Sequence, residues 1–257
     1  MITETTNALK AYAQEGYVIA SQVFSPSRME VLRRSFKTIL AKNGTAAPTN
    51  GHSHGADDLN SLIMQKEKED HSLVYKASQS LGSSAATYQL LGGSEILNMV
   101  AEASGFDVAN LHLAPMYFIV QNPSDERFDY PWHQDGAYYP WCKDMITLWF
   151  PVNRTVTRET GTISFIPGSH LPARVNKTYV KNGFFKQIES EVTPEEAARE
   201  MFVEVDPGDC AIMHGDLVHR SVANRSNTPR VGGVLRMVNV ASLSAYERDN
   251  FYCVHKS

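Results

Sequence analysis

The chain has 257 residues, 42% of them hydrophobic, with a formal net charge of −4 at pH 7. A chain of this length buries roughly three quarters of the surface that it exposes when unfolded. Its mildly acidic balance lacks the basic footprint of a nucleic-acid binder.

The first half reads as helical. In SPSRMEVLRRSFKTIL, Ser25 caps a helix that begins at Pro26, and Met29, Leu32, Phe36, Ile39 and Leu40 form one apolar stripe. Residues 43–60, NGTAAPTNGHSHGADDLN, read as a loop long enough to serve as a lid, and HSH within it as loop polarity, not a metal pair. KEKED at 66–70 reads as a solvated helix face. HSLVYKASQSL and SEILNMVAEASG read as helices, the second capped by Ser94 and ended by Gly105.

The second half changes to short alternating runs: NLHLAPMYFIVQ, MITLWFPV, GTISFIPG, EMFVEVDPGD, CAIMHGDLVH and RVGGVLRMVNV. Pro167-Gly168 and Pro207-Gly208 suit the centres of type II turns. Many short strands with such turns predict a barrel, sandwich or jelly roll in place of a parallel sheet. A polar insertion at about 171–199 contains TPEEAARE, where Thr193 and Glu196 form a capping box around Pro194. Without repeats or a linker, residues 1–257 are expected to form one domain: helical to about 110, then a β core over about 111–242.

Three cysteines, Cys142, Cys210 and Cys253, stand far apart and fit a reducing cytoplasm. MITETTNALK lacks the basic start and apolar core of a signal peptide, and VHKS is not a peroxisomal address. No apolar run reaches the roughly 20 residues of a membrane span. The expected partner is a small molecule, with neither nucleic acid nor membrane involved; oligomeric state stays open.

The chemistry centres on YPWHQDGAYYP at 130–140. On a strand, residues i and i+2 share a face, so His133 and Asp135 can reach one metal ion with Gln134 turned away. A third ligand must come from elsewhere; His219 in CAIMHGDLVHRSV is the better candidate and His214 its competitor. Two histidines and a carboxylate make the facial set of non-haem iron(II) oxygenases, which leaves three positions for a chelating cosubstrate and dioxygen. Arg230, eleven positions beyond His219, offers a planar fork for the distal carboxylate of 2-oxoglutarate, and Gly232 beside it leaves room.

YPWHQDGAYYPW, GTISFIPGSH, PGDCAIMHGDLVHRSVANRS and the PR at 229–230 together resemble the phytanoyl-CoA dioxygenase family, as does the opening YAQEGYVIASQVFSPSRMEVLR. The resemblance runs over about 10–240 and implies a double-stranded β-helix (a cupin-like jelly roll), mainly β, with the N-terminal helices packed outside. It implies Fe(II), with 2-oxoglutarate and O2 as cosubstrates and release of succinate and carbon dioxide. It gives His133, Asp135 and His219 as ligands and Arg230 as the cosubstrate clamp. It also puts Trp149, Thr147, Gln121 and Phe118 near the cosubstrate, and gives Ser221 and Asn224 structural roles. Gly232 departs from the Ser or Thr that many related oxygenases carry there, so that contact must be absent or come from elsewhere.

Asp135 keeps the carboxylate that halogenating relatives lack, so hydroxylation of a small molecule is the expected outcome. Desaturation, cyclisation and epimerisation share its first steps. Tyr138, Tyr139 and Trp141 are expected to form the mouth of the substrate pocket; Arg174, Lys177, Lys181 and Lys186 read as solvated surface. Two alternatives stay open: a jelly-roll metal enzyme that does not use 2-oxoglutarate (a cupin-type dioxygenase or isomerase), and a non-catalytic binding protein.

Overall fold

Helices fill the first half of the chain and antiparallel strands the second, in a computed structural model that describes residues 2–42, 56–127, 129–139, 142–171, 174, 176–181 and 185–244. In chain order the elements are α1 (Ile2–Glu15), β1 (Tyr17–Ala20), α2 (Pro26–Lys42), α3 (Ala56–Glu69), α4 (His71–Gly82), α5 (Ala85–Leu91) and α6 (Ser94–Ser104). There follow β2 (Leu111–Leu113), β3 (Tyr117–Gln121), β4 (Met145–Pro151), β5 (Thr162–Phe165), β6 (Asn176–Lys181), β7 (Phe185–Ser190), α7 (Pro194–Ala197), β8 (Met201–Phe202), β9 (Cys210–His214), β10 (His219–Val222) and β11 (Arg230–Asn239).

The larger sheet runs β1-β9-β4-β11-β2, with β3 also paired to β11, and a second sheet runs β10-β5-β8. All these pairings are antiparallel. The segment carrying His133 joins the second sheet through a bridge to His219. Alternation along β4 explains how one sheet serves two cores. Ile146, Leu148 and Phe150 face α1–α6, where Leu32, Phe36, Leu40, Ile63, Leu81 and Ile96 pack. Trp149 faces the other way, meeting Ile163 and Phe165 of β5, Ala211 and Met213 of β9 and Val234 of β11. Helices thus cover the back of the large sheet, and its front closes on the small one.

The α2 stripe is as predicted: Met29, Leu32, Phe36 and Leu40 are buried, Ile39 packs beside them, and the Ser25 hydroxyl accepts the Arg28 N–H at 3.4 Å. Gly105 ends α6 with φ of 75°, but Gly93 precedes the helix at the cap position, so Ser94 is its first residue instead of its cap. Of the expected loop at 43–60, residues 56–60 already belong to α3, because ADDLNSLIM carries Leu59 and Ile63 into the core. The remainder, including HSH, lies outside the described residues.

KEKED is not a uniformly solvated face: the Lys66 side chain is buried and donates to Glu69 at 2.7 Å. The 171–199 insertion contains the β6–β7 hairpin, and α7 closes it with the expected Thr193/Glu196 capping box. Lys177 pairs with Glu191, and Arg174 with Glu196 at 2.5 Å. The side chains of Lys181 and Lys186 lie outside the described residues. No helix among the described residues is long and apolar enough to cross a membrane.

Candidate metal centre and cavity

His133, Asp135 and His219 are buried, and each offers a ligand atom within 4.8 Å of the others. Two reciprocal backbone hydrogen bonds bring the histidines together: His133 N–H to the His219 carbonyl at 2.8 Å and the reverse at 2.9 Å. Asp135 does not continue that strand. It opens a short 3-10 turn, Asp135–Tyr138, so its carboxylate arrives by a bend and not by strand alternation. Gln134 points away as predicted, donating to the Asp216 carbonyl at 2.5 Å.

The imidazoles are oriented in the same way. His133 Nδ1 lies 2.7 Å from the Pro131 carbonyl and His219 Nδ1 2.9 Å from that of Leu217. A carbonyl only accepts, so each Nδ1 carries the proton and each Nε2 keeps its lone pair for a ligand. Burial, then the neighbouring His219, pushes the His133 pKa down to about 3, which keeps that ring neutral.

Asp135 is held from two strands. Thr147 Oγ1 of β4 donates to Oδ2 at 2.7 Å, and Arg236 Nη2 of β11 donates to Oδ1, also at 2.7 Å. Burial would by itself raise the Asp135 pKa. The Arg236 charge, followed by His219, outweighs burial and holds the carboxyl well below its usual range. Thr147 therefore contacts a predicted ligand directly. Arg236 is the residue that sequence reasoning missed, although its even spacing from Arg230 along β11 was a usable signal.

His214 is not part of this cluster. Its Nδ1 accepts the Asp216 N–H at 3.0 Å, and its ring packs against His170 and Tyr12.

The cluster opens into a cavity of about 310 Å³ that also includes Arg230, Trp149 and Thr147. Arg230 is 2% exposed. It faces Gln121 across the β11–β3 register, and Nη2 donates to Gln121 Oε1 at 2.7 Å. Gln121 in turn donates to Asp129 at 2.6 Å. Arg230 Nε is buried with no hydrogen-bond partner. Desolvation lowers the Arg230 pKa to about 10. The guanidinium lies 5.8 Å from the Trp149 ring centre.

Gly232 leaves room for the arginine itself. A Cβ there would come within 2.9 Å of Arg230 Nη1 and 3.2 Å of Trp149 Nε1. Phe118 differs from Gln121. Three residues apart on β3, the two face opposite sides, and Phe118 packs edge-on against Phe150 in the helix-side core, 6.3 Å between centroids. It reaches the cavity only as part of the wall, which places Tyr117 and Ile119 on the front face in its stead. Asn224 is structural, donating to the carbonyls of Gln121 and Thr228.

Tyr138 and Tyr139 line the cavity, joined by Tyr117, Tyr130 and, from α4, Tyr75. The β6–β7 hairpin steadies this wall: the Ile188 N–H donates to the Tyr138 hydroxyl at 2.9 Å, and the Ser190 N–H to the Trp132 carbonyl at 2.7 Å. Trp141 lies outside the described residues. The α4 contribution of Tyr75, Ser78 and Gln79 was not read from the sequence, where HSLVYKASQSL shows only a helix.

A family model described as "Phytanoyl-CoA dioxygenase (PhyH)" matches residues 12–232. A relative from Caenorhabditis elegans, "Probable phytanoyl-CoA dioxygenase", is 23% identical over 84% of this chain and 69% of its own length. A "1-deoxypentalenic acid 11-beta-hydroxylase" from Streptomyces arenae is 32% identical over 38% of this chain and 36% of its own. Among solved structures, the epimerase SnoN in complex with Fe3+, alpha ketoglutarate and nogalamycin RO superimposes with a TM-score of 0.63 at 17% identity, covering 93% of this chain and 85% of that one.

Proposed function

This chain belongs to the phytanoyl-CoA dioxygenase family, and on that premise we propose that it is an iron(II)- and 2-oxoglutarate-dependent dioxygenase that hydroxylates a small molecule. The observation that carries the reading is the convergence of His133, Asp135, His219 and Arg230 on one cavity. We read the two sheets as a double-stranded β-helix; the order β3-β11-β4-β9 set against His133-β10-β5-β8 supports that reading. Residues 1–257 are read as one domain, since the helices share a core with the large sheet. We read the sparse cysteines, of which Cys142 and Cys210 are buried, as fitting a reducing cytoplasm.

The donor set fits a divalent iron ion: two imidazoles whose Nδ1 atoms are tied to carbonyls, and one ionised carboxylate. Bound there with 2-oxoglutarate and dioxygen, iron supplies the oxidising power that releases succinate and carbon dioxide and oxidises a substrate C–H bond.

The chain's own residues do the rest. His133, Asp135 and His219 would hold the metal. Arg230, desolvated and with an unpartnered Nε, is poised to grip the distal carboxylate of 2-oxoglutarate, for which a buried cation with an unsatisfied donor is well suited. Gln121 fixes the plane of that guanidinium, and Trp149 shields it from water. Tyr75, Tyr117, Tyr130, Tyr138 and Tyr139 give the substrate flat apolar faces with hydroxyls at their rims, which orients a ring-bearing small molecule. The relatives whose names mention 1-deoxypentalenic acid or nogalamycin are compatible with such a substrate.

The direct test is anaerobic titration of the iron(II)-loaded protein with 2-oxoglutarate. A visible charge-transfer band is expected, and Arg230→Ala should raise the concentration of cosubstrate required by about 30-fold or more. Iron-loaded protein that gives no band, or an Arg230→Ala variant with unchanged affinity, would falsify the assignment. A metabolite panel read as substrate-dependent succinate release then identifies the substrate.

A further inference from the structure

We propose that Arg236 is a positioning residue for the metal centre: together with Thr147 it fixes the plane of the Asp135 carboxylate, so that this ligand meets the ion through one oxygen and three positions stay open. The proposal rests on the reading of the site as an iron and 2-oxoglutarate centre.

Arg236 and Thr147 are directly opposite each other in the β11–β4 register. Both side chains therefore rise from the same face of the large sheet, toward a ligand that belongs to neither strand. Each takes a different oxygen of Asp135, both at 2.7 Å. Two donors on opposite oxygens prevent rotation about Cβ–Cγ, the one motion that would let a carboxylate on a short turn swing and chelate with both oxygens. A chelating Asp135 would occupy a fourth position. A two-point cosubstrate and dioxygen would then compete for the remaining two.

The guanidinium itself sits between two phenol rings. Its carbon lies 5.7 Å from the Tyr117 ring centre and 5.9 Å from that of Tyr139, and its side chain is only 15% exposed. Arg236 thus links the predicted metal ligand, through Nη2, to the phenolic wall of the cavity, a link that Lys could maintain in charge but not in its flat packing near Tyr117 and Tyr139.

The experiment loads wild type, Arg236→Met, Arg236→Lys and Thr147→Val with Co(II), records the d–d absorption, and then titrates 2-oxoglutarate. All four are expected to take up Co(II). Arg236→Met should alter the intensity and position of the d–d bands and raise the Kd for 2-oxoglutarate by about 10–100-fold. Arg236→Lys should recover part of both, and Thr147→Val should move both in the same direction by less. An Arg236→Met variant with wild-type spectrum and affinity overturns the proposal. If that variant does not fold, unchanged spectra in both Arg236→Lys and Thr147→Val overturn it equally. Wild type that binds Co(II) without responding to 2-oxoglutarate defeats the cosubstrate reading instead, and the Co(II) spectra of the variants still decide the role of Arg236.

Discussion

Two histidine pairs lie close together in this protein and have been given different work by their backbones. His133 and His219 stand with ring centroids 4.1 Å apart, His170 and His214 with centroids 5.1 Å apart. In the first pair each Nδ1 faces a carbonyl two residues earlier in the chain, which leaves Nε2 available beside Asp135. In the second, His214 Nδ1 is already spent accepting the Asp216 N–H, and His170 Nε2 faces the Ala13 carbonyl at 3.2 Å. Burial lowers the pKa of both His133 and His214. Residue type is shared, but His133 and His219 lie deeper than the half-buried His170 and His214, and the hydrogen-bond partner of the second nitrogen further separates a ligand from a structural side chain.

The largest effect expected from this contrast is on metal loading. His219→Ala should leave purified protein without stoichiometric iron(II) and without 2-oxoglutarate turnover, whereas His214→Ala should retain both. Metal analysis and succinate release measure the two, and an iron-free His214→Ala protein would erase the distinction.

Acid should come next. In metal-free protein the unfolded chain takes up a proton on His133 near pH 6.5, but the folded chain resists until about 3. Its contribution to stability is thus complete above the higher value and is lost as pH falls toward the lower one. Between pH 6.5 and 5 the loss amounts to about 2 kcal/mol. Asp135, also held below its usual range, adds to the loss only in stronger acid. Denaturant midpoints of wild type and His133→Gln at the two pH values check this; parallel curves would count against it.

The smallest effect should be local. His214→Ala leaves the half-buried Asp216 N–H without its acceptor, at a cost of about 1 kcal/mol at neutral pH. A urea midpoint unchanged from wild type would show that the second pair is dispensable even for stability.

Much of this was legible in the chain itself. The α2 stripe, the turns at Gly168 and Gly208 and the Thr193 capping box are written in local spacing, and Gly168 and Gly208 do take φ of 73° and 112°. Features that depend on a distant partner were not. The sequence shows Lys66 as one charge among five, and only the packing of α3 reveals that its side chain is buried beside Glu69. Phe118 and Gln121 looked like neighbours in one wall until strand alternation placed them on opposite faces of β3.

Residue type and order by themselves determined the donor inventory: two histidines, one carboxylate and an arginine at spacings that suit a metal and a dicarboxylate. Those properties are local, because a side chain's chemistry travels with its position in the chain. Tertiary structure brought His219, already the better candidate, into the cluster, and it alone decided that Asp135 enters on a turn and that Thr147 and Arg236 meet on its carboxylate from paired strands. Register and burial create those contacts, and they arise only when β4 and β11 are laid side by side.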